Sequence, residues 1–215
     1  MKITHHITDD LLYLYAAGDL KFGWSLAIAT HLSLCPSCRA TLKTYEQVLA
    51  ENLAQEHVSE MSVNADDVLA IAGSQMEPCE IAPPVQAEKN FVFPKPLRDL
   101  CGDLGDIKWS TMGGGIKQKI LHEEDGIVAR LLYISPGASA SAHGHNGIEL
   151  TQVVSGGFFD GDQAFERGDI QIVAHDSPHQ PIAMNGEACV CLAVTDAPLK
   201  FRNFLPRLFQ RAFRI

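Results

Sequence analysis

The chain has 215 residues, 46% apolar and 20% charged, which leaves room for one or two domains with real cores and excludes a disordered chain, a collagen or a coiled coil. Lys and Arg number 17 against 26 Asp and Glu, a formal net charge of -9. So acidic a chain lacks the clustered cations that hold a phosphate backbone, so no direct nucleic acid binding is expected. A basic protein partner suits it better. No run approaches the roughly 18–20 apolar residues of a membrane helix, so no stable membrane insertion is expected. Asp9 and Asp10 interrupt the stretch where a signal peptide would be apolar. The expectation is a cytoplasmic protein whose six cysteines (35, 38, 79, 101, 189 and 191) are thiols or metal ligands before disulfides.

Glycine and charge divide the chain. Only 3 of the 17 glycines precede residue 99, and residues 1–78 carry a net charge of -6. Between the halves, residues 76–98 hold five of the eleven prolines and read as an extended linker. The expected domains are a helical unit over 1–78, a proline-rich linker over 79–98, a strand-rich unit over 99–200 and a basic amphipathic segment over 201–215.

In chain order, Thr8 predicts an N-cap and Gly18 a stop for the first helix, with Asp9 and Asp10 in its first turn. Asp19 is the expected cap of a second helix running through Leu26, Ile28 and His31. Pro36 suits the first turn of a third, which carries Leu42, Tyr45 and Leu49. Asn64 starts a fourth and Gly73 is its expected end. Four short helices make a marginal core that a metal staple would help. Beyond the linker, 127–134, 148–154, 169–173 and 188–194 are short runs rich in Val and Ile, punctuated by Gly, Pro and Asp. Gly113 to Gly115 lacks the Lys-Ser/Thr of a phosphate loop and reads as a turn.

His31-x3-Cys35-x2-Cys38 is the sharpest feature of the first half. His31 and Cys35 share a helical face, and Cys38 follows one turn later across the corner at Pro36. Zinc prefers four such donors, and the fourth is open between His5, His6 and His57. The competing reading is two cysteines buried as small hydrophobes. The element, with an upstream histidine and four short helices, resembles the zinc anti-sigma domain of bacterial regulators. That resemblance implies His6, His31, Cys35 and Cys38 as zinc ligands. It also implies a surface that sequesters an extracytoplasmic-function sigma factor.

The second half carries Gly137-x5-His143-x-His145-x3-Glu149-x6-Gly156, then Gly168 and His179. On a strand His143 and His145 point to one side, and Glu149 returns to the same cavity. Three imidazoles and a carboxylate suit zinc first, with iron, manganese, nickel or copper as alternatives. The pattern matches the first cupin motif at every fixed position. The second motif is matched at Gly168 and His179 and departs from the preferred residues at Ala174, Asp176 and Ala183. The implied fold is a small all-β jelly-roll barrel, making the chain α+β as two domains. His175 has no pattern partner and reads as solvated.

A helical zinc domain followed by a cupin is similar to the ChrR family of cupin-containing anti-sigma factors, over roughly residues 1–200. The resemblance implies that the N-terminal domain suffices to inhibit the sigma factor. It implies that the cupin domain senses photo-oxidative stress, singlet oxygen above all, and releases the factor. The chain is then no enzyme, and a homodimer of the free chain stays open. The alternative is a cupin metalloenzyme, a dioxygenase or isomerase, with a zinc-stabilised docking or oligomerisation domain. Cys189 and Cys191, two apart on a strand, read first as a core pair and second as an oxidation-sensitive pair. The C-terminal segment reads as docking on the chain's own acidic surface or on a second copy, ahead of a membrane-surface helix.

Overall fold

The computed structural model describes residues 2–55, 64–75, 93–174 and 178–201. His57, Cys79, residues 76–92 of the proline-rich stretch, His175, Asp176 and the basic segment from Arg202 onward lie outside the described residues.

Helix α1 (Asp9–Ala17) starts after Thr8 and ends at Gly18, whose φ of 76° is the left-handed closure the sequence predicts. The Asp19 N–H donates to the Leu14 carbonyl as part of that closure. Asp19 therefore does not cap the next helix, and α2 (Phe22–Leu34) starts instead after Lys21. Helix α3 (Pro36–Leu53) takes Pro36 in its first turn, and the Cys35 sulfur accepts from the Cys38 N–H as its cap. Helix α4 (Ala65–Gln75) is capped by Asn64, whose Oδ1 accepts from the Asp67 N–H at 2.9 Å. It runs past Gly73, because one interior glycine costs a helix only about 1 kcal/mol.

A fifth helix, α5 (Lys95–Cys101), starts within the stretch expected to be extended. Prolines read as linker, but Pro94 and Pro96 sit at its cap and first turn, where no N–H is needed. Leu97 anchors it, fully buried.

The strands are β1 (Ser110–Gly113), β2 (Ile116–Glu124), β3 (Ile127–Ile134), β4 (His143–His145), β5 (Glu149–Ser155), β6 (Gly157–Asp160), β7 (Gln163–Glu166), β8 (Ile170–Val173), β9 (Ile182–Ala183), β10 (Cys189–Thr195) and β11 (Leu199–Phe201). They pair as an antiparallel six-stranded sheet in the order β1-β2-β3-β10-β5-β8, a three-stranded sheet β7-β6-β9 and the pair β11-β4. The four apolar runs are β3, β5, β8 and β10, and Gly113 to Gly115 make the β1–β2 turn with positive φ throughout. The other strands are short or polar, which hid them from an apolar-run reading.

Alternation gives the large sheet two apolar faces. One carries Ile134, Val153, Cys189 and Cys191, which pack with Phe158 and Phe165 of the small sheet inside the barrel. The other carries Leu131, Leu150 and Leu192 and shares one cluster with Leu12, Ile28 and Leu97 of the helices. Helix α2 is apolar on nearly every side, as a helix buried all round must be. The helices therefore complete their core against the sheet.

Two glycines make this geometry. A Cβ at Gly23 would lie 3.1 Å from Ile127 and 3.4 Å from Val194, so its absence lets α2 seat on the sheet. Gly23→Leu is expected to lower stability by about 2 kcal/mol through overpacking, read as a shifted urea midpoint at unchanged slope. Gly156, which closes the first cupin motif, has φ 63° and would bring a Cβ within 2.5 Å of the Ala188 carbonyl oxygen.

Candidate metal centres

The helical centre forms where three elements meet. The segment before α1 brings His6, α2 brings His31, and the α2–α3 corner brings Cys35 and Cys38. The donor atoms of these four residues all lie within 4.8 Å of one another. His6 Nδ1 is 3.3 Å from Cys35 Sγ and 3.5 Å from Cys38 Sγ, and His31 Nε2 is 3.2 Å from Cys38 Sγ. His5 turns the other way, its ring 4.2 Å from that of Phe165.

His31, Cys35 and Cys38 are buried and His6 is exposed. Burial pushes the His31 imidazole down to about 4, so it is neutral at physiological pH. Burial and the adjacent Cys35 thiol push Cys38 up to about 11. A neutral imidazole beside a Cys38 thiol that resists ionisation is a setting that a divalent cation reverses, by holding the sulfur as a thiolate. The separations fit tetrahedral zinc, whose bonds of about 2.0–2.3 Å put neighbouring donors about 3.3–3.8 Å apart.

The second centre lies at one end of the barrel. β4 supplies His143 and His145, Glu149 opens β5, and His179 is bridged to His143 by backbone hydrogen bonds. His179 Nε2 is 2.9 Å from His145 Nε2 and 3.0 Å from His143 Nε2. Glu149 Oε2 faces all three, at 3.3 Å from His145, 3.7 Å from His179 and 3.9 Å from His143. On their far sides, His143 Nδ1 donates to the Ser141 carbonyl at 2.8 Å and His179 Nδ1 to the Asp160 carboxylate at 2.8 Å. Those acceptors turn the Nε2 lone pairs inward, where they repel unless a cation lies between them. The donor set therefore fits a metal.

Burial would lower His143, but the Glu149 carboxylate that faces it outweighs this and raises it. Burial would raise Glu149, but His143 and the other imidazoles hold it below the usual carboxylate value. His145 is lowered, chiefly by burial. Asp160 has no place in the motif spacing and lies nineteen residues from His179, so only a search for an acceptor behind each histidine would find it.

Cys189 and Cys191 sit behind this cluster on β10, fully buried with sulfurs 3.3 Å apart. The Cys189 contact, burial and the Glu149 charge together push Cys191 well above the ordinary thiol value. Among the described residues, no helix is long and apolar enough to cross a membrane.

The family model of the ChrR cupin-like domain matches residues 97–198. Anti-sigma-E factor ChrR of Cereibacter sphaeroides is 44% identical over 219 residues, covering 100% of both chains. The crystal structure of Rhodobacter sphaeroides SigE in complex with the anti-sigma ChrR matches at 39% identity with a TM-score of 0.75, over 91% of this chain and 100% of that one. An RmlC-like cupin protein from Ralstonia eutropha is more distant, at 17% identity and a TM-score of 0.42 over 48% of this chain and 71% of that one. Identity of this order along the whole length, joined to a helical Cys/His cluster and a cupin His/Glu cluster, means that the chain belongs to the ChrR family of anti-sigma factors.

Proposed function

We propose that this chain is a cytoplasmic anti-sigma factor that sequesters an extracytoplasmic-function sigma factor through its helical domain and releases it when the cupin centre senses oxidative or photo-oxidative stress. The observation that carries the reading is the likeness, over 91% of the chain, to a ChrR protein captured in complex with SigE. The role is regulatory, and the same likeness sets the metalloenzyme alternative aside.

In this reading zinc, held by His6, His31, Cys35 and Cys38, locks the start of the chain to the α2–α3 corner. Zinc is favoured by the thiolate and imidazole donors, and it supplies folding energy without redox chemistry. The cupin residues His143, His145, Glu149 and His179 hold a second divalent metal, zinc first, with iron, manganese or nickel as alternatives. The surface offered to the sigma factor includes α4, which exposes Val68, Leu69 and Ile71 beside Asp66 and Asp67. An apolar strip flanked by acids suits a partner that is itself basic enough to bind DNA. Cys189 and Cys191 are assigned to packing, because both side chains are wholly buried in the inner core and out of reach of a reactant.

The test is co-expression with the sigma factor encoded in the same cells, followed by size-exclusion chromatography. A complex of about one to one is expected. Two separate peaks would remove the reading.

A further inference from the structure

Both histidines of the helical centre are held from the barrel side. Gln152 lies on β5 three residues after Glu149, so the two side chains leave opposite faces of the strand. Glu149 enters the cupin cluster. Gln152 reaches the helices, where its Oε1 lies 3.1 Å from His31 Nδ1, with both residues wholly buried. The Gln152 amide cannot turn over, because its Nε2 donates to the Val153 carbonyl at 3.0 Å. His31 Nδ1 must then carry the proton and donate. That leaves the Nε2 lone pair aimed at the thiols.

His6 is held less directly. One Asp169 oxygen accepts from the Thr4 N–H at 2.7 Å and the His5 N–H at 2.9 Å, and the other accepts from the Glu166 N–H at 3.0 Å. The Ile170 N–H returns a bond to the His5 carbonyl at 3.3 Å. The residues just before His6 are thus sewn to the turn that opens β8, the strand leading toward His179.

We infer that Gln152 and Asp169 of the barrel are positioning residues of the helical metal centre, Gln152 by setting the tautomer and aim of His31 and Asp169 by anchoring the backbone that presents His6. The barrel thereby governs how tightly the helical centre keeps its ion. Each positioning residue shares a strand or its approach with a cupin ligand, so a change at the cupin centre crosses the width of one strand to reach the other. The inference rests on the proposed reading of the helical cluster as a metal centre.

The experiment uses the full chain loaded with cobalt. Of the two donor clusters among the described residues, only the helical one includes cysteines, so the thiolate-to-cobalt charge-transfer absorption reports that centre and not the cupin one. Its decay in excess EDTA is followed below the melting temperature. Removing a partner behind a metal-bound histidine costs about 10–100-fold in affinity, so Gln152→Leu is expected to lose the band at least about tenfold faster than the parent, and Asp169→Ala, which frees the backbone before His6, is also expected to lose it faster than the parent. Gln152→Glu keeps an acceptor for His31 and is expected to hold the parental rate. Val154→Ala, on the same strand in the shared core, is expected to lower the melting temperature with the rate unchanged. Parental rates in both Gln152→Leu and Asp169→Ala would overturn the inference and leave the metal centre standing. Equal acceleration in Val154→Ala would overturn it too, as general loosening. A parent that never develops the band would overturn the metal reading and the inference together.

Discussion

Cys35→Ala is expected to abolish both metal retention by the helical domain and capture of the sigma factor. Cys35 stands at the corner between α2 and α3, buried, with its sulfur 3.3 Å from His6 Nδ1 and accepting the Cys38 N–H. Its loss removes one of the four candidate metal donors, a helix cap and a contact with the start of the chain at His6. Structural zinc contributes about 10–16 kcal/mol to a small folded unit, whereas a whole domain is stable by only about 5–15 kcal/mol. Losing even a third of the metal's share, about 3–5 kcal/mol, consumes most of a margin at the lower end of that range. The barrel has its own inner core of Ile134, Val153, Phe158 and Phe165 and is expected to keep its strand signal in circular dichroism. Metal content per chain and co-purification of the sigma factor check the result. Stoichiometric capture by the Cys35→Ala protein would sink the zinc argument.

Glu149→Gln is expected to do the reverse, leaving capture intact and blunting release. Glu149 is the one anionic donor of the cupin cluster and faces all three histidines. Replacing it leaves three converging imidazoles with no anion among the donors, and only Asp160 behind His179 to offset a dication's burial. Outer partners of metal ligands alone are worth about 10–100-fold in affinity, so loss of this inner carboxylate is expected to cost at least about 100-fold. Metal analysis of a chain that also carries Cys35→Ala isolates the cupin site. Promoter activity under light with a photosensitiser then reads release. Full induction in the single Glu149→Gln variant would exclude the cupin metal as the sensor.

The same cluster predicts a pH dependence. Glu149 raises His143, so the proton that a metal must displace is held more tightly than on a free imidazole. Cupin metal affinity is therefore expected to rise with pH until His143 deprotonates. Because the His143 value is raised, the fall should set in above the usual histidine value of about 6.5 as pH drops, and run at up to about tenfold per unit for one displaced proton. Calorimetric titration at several pH values measures the slope. A flat profile across that range would mean that His143 is not displaced.

What sequence alone determined were the features written in short spacings. The Asn64 cap, the Gly18 stop and the proline opening α3 depend on a few neighbouring backbone groups and came out as expected, whereas Thr8 holds the position before α1 without a capping hydrogen bond from its side chain. The patterns His31-x3-Cys35-x2-Cys38 and His143-x-His145-x3-Glu149 were legible for the same reason. Helical and strand periodicity decides which side chains share a face. The tertiary structure decided whatever depends on partners distant in the chain. His5 and His6 are neighbours with one chemistry, and only the tilted contact of His5 with Phe165 and the Asp169 clasp turn His6 toward the thiols. Gln152 is an ordinary strand residue until the fold sets it against an imidazole 121 positions away. Asp160 acquires its meaning from His179, and α5 from the pocket that buries Leu97. The small helical core read as marginal because much of it is supplied by one face of the sheet, and no local pattern announces that the helices dock there. A spacing is fixed by bond geometry, but a contact across the molecule exists only once the whole chain has packed.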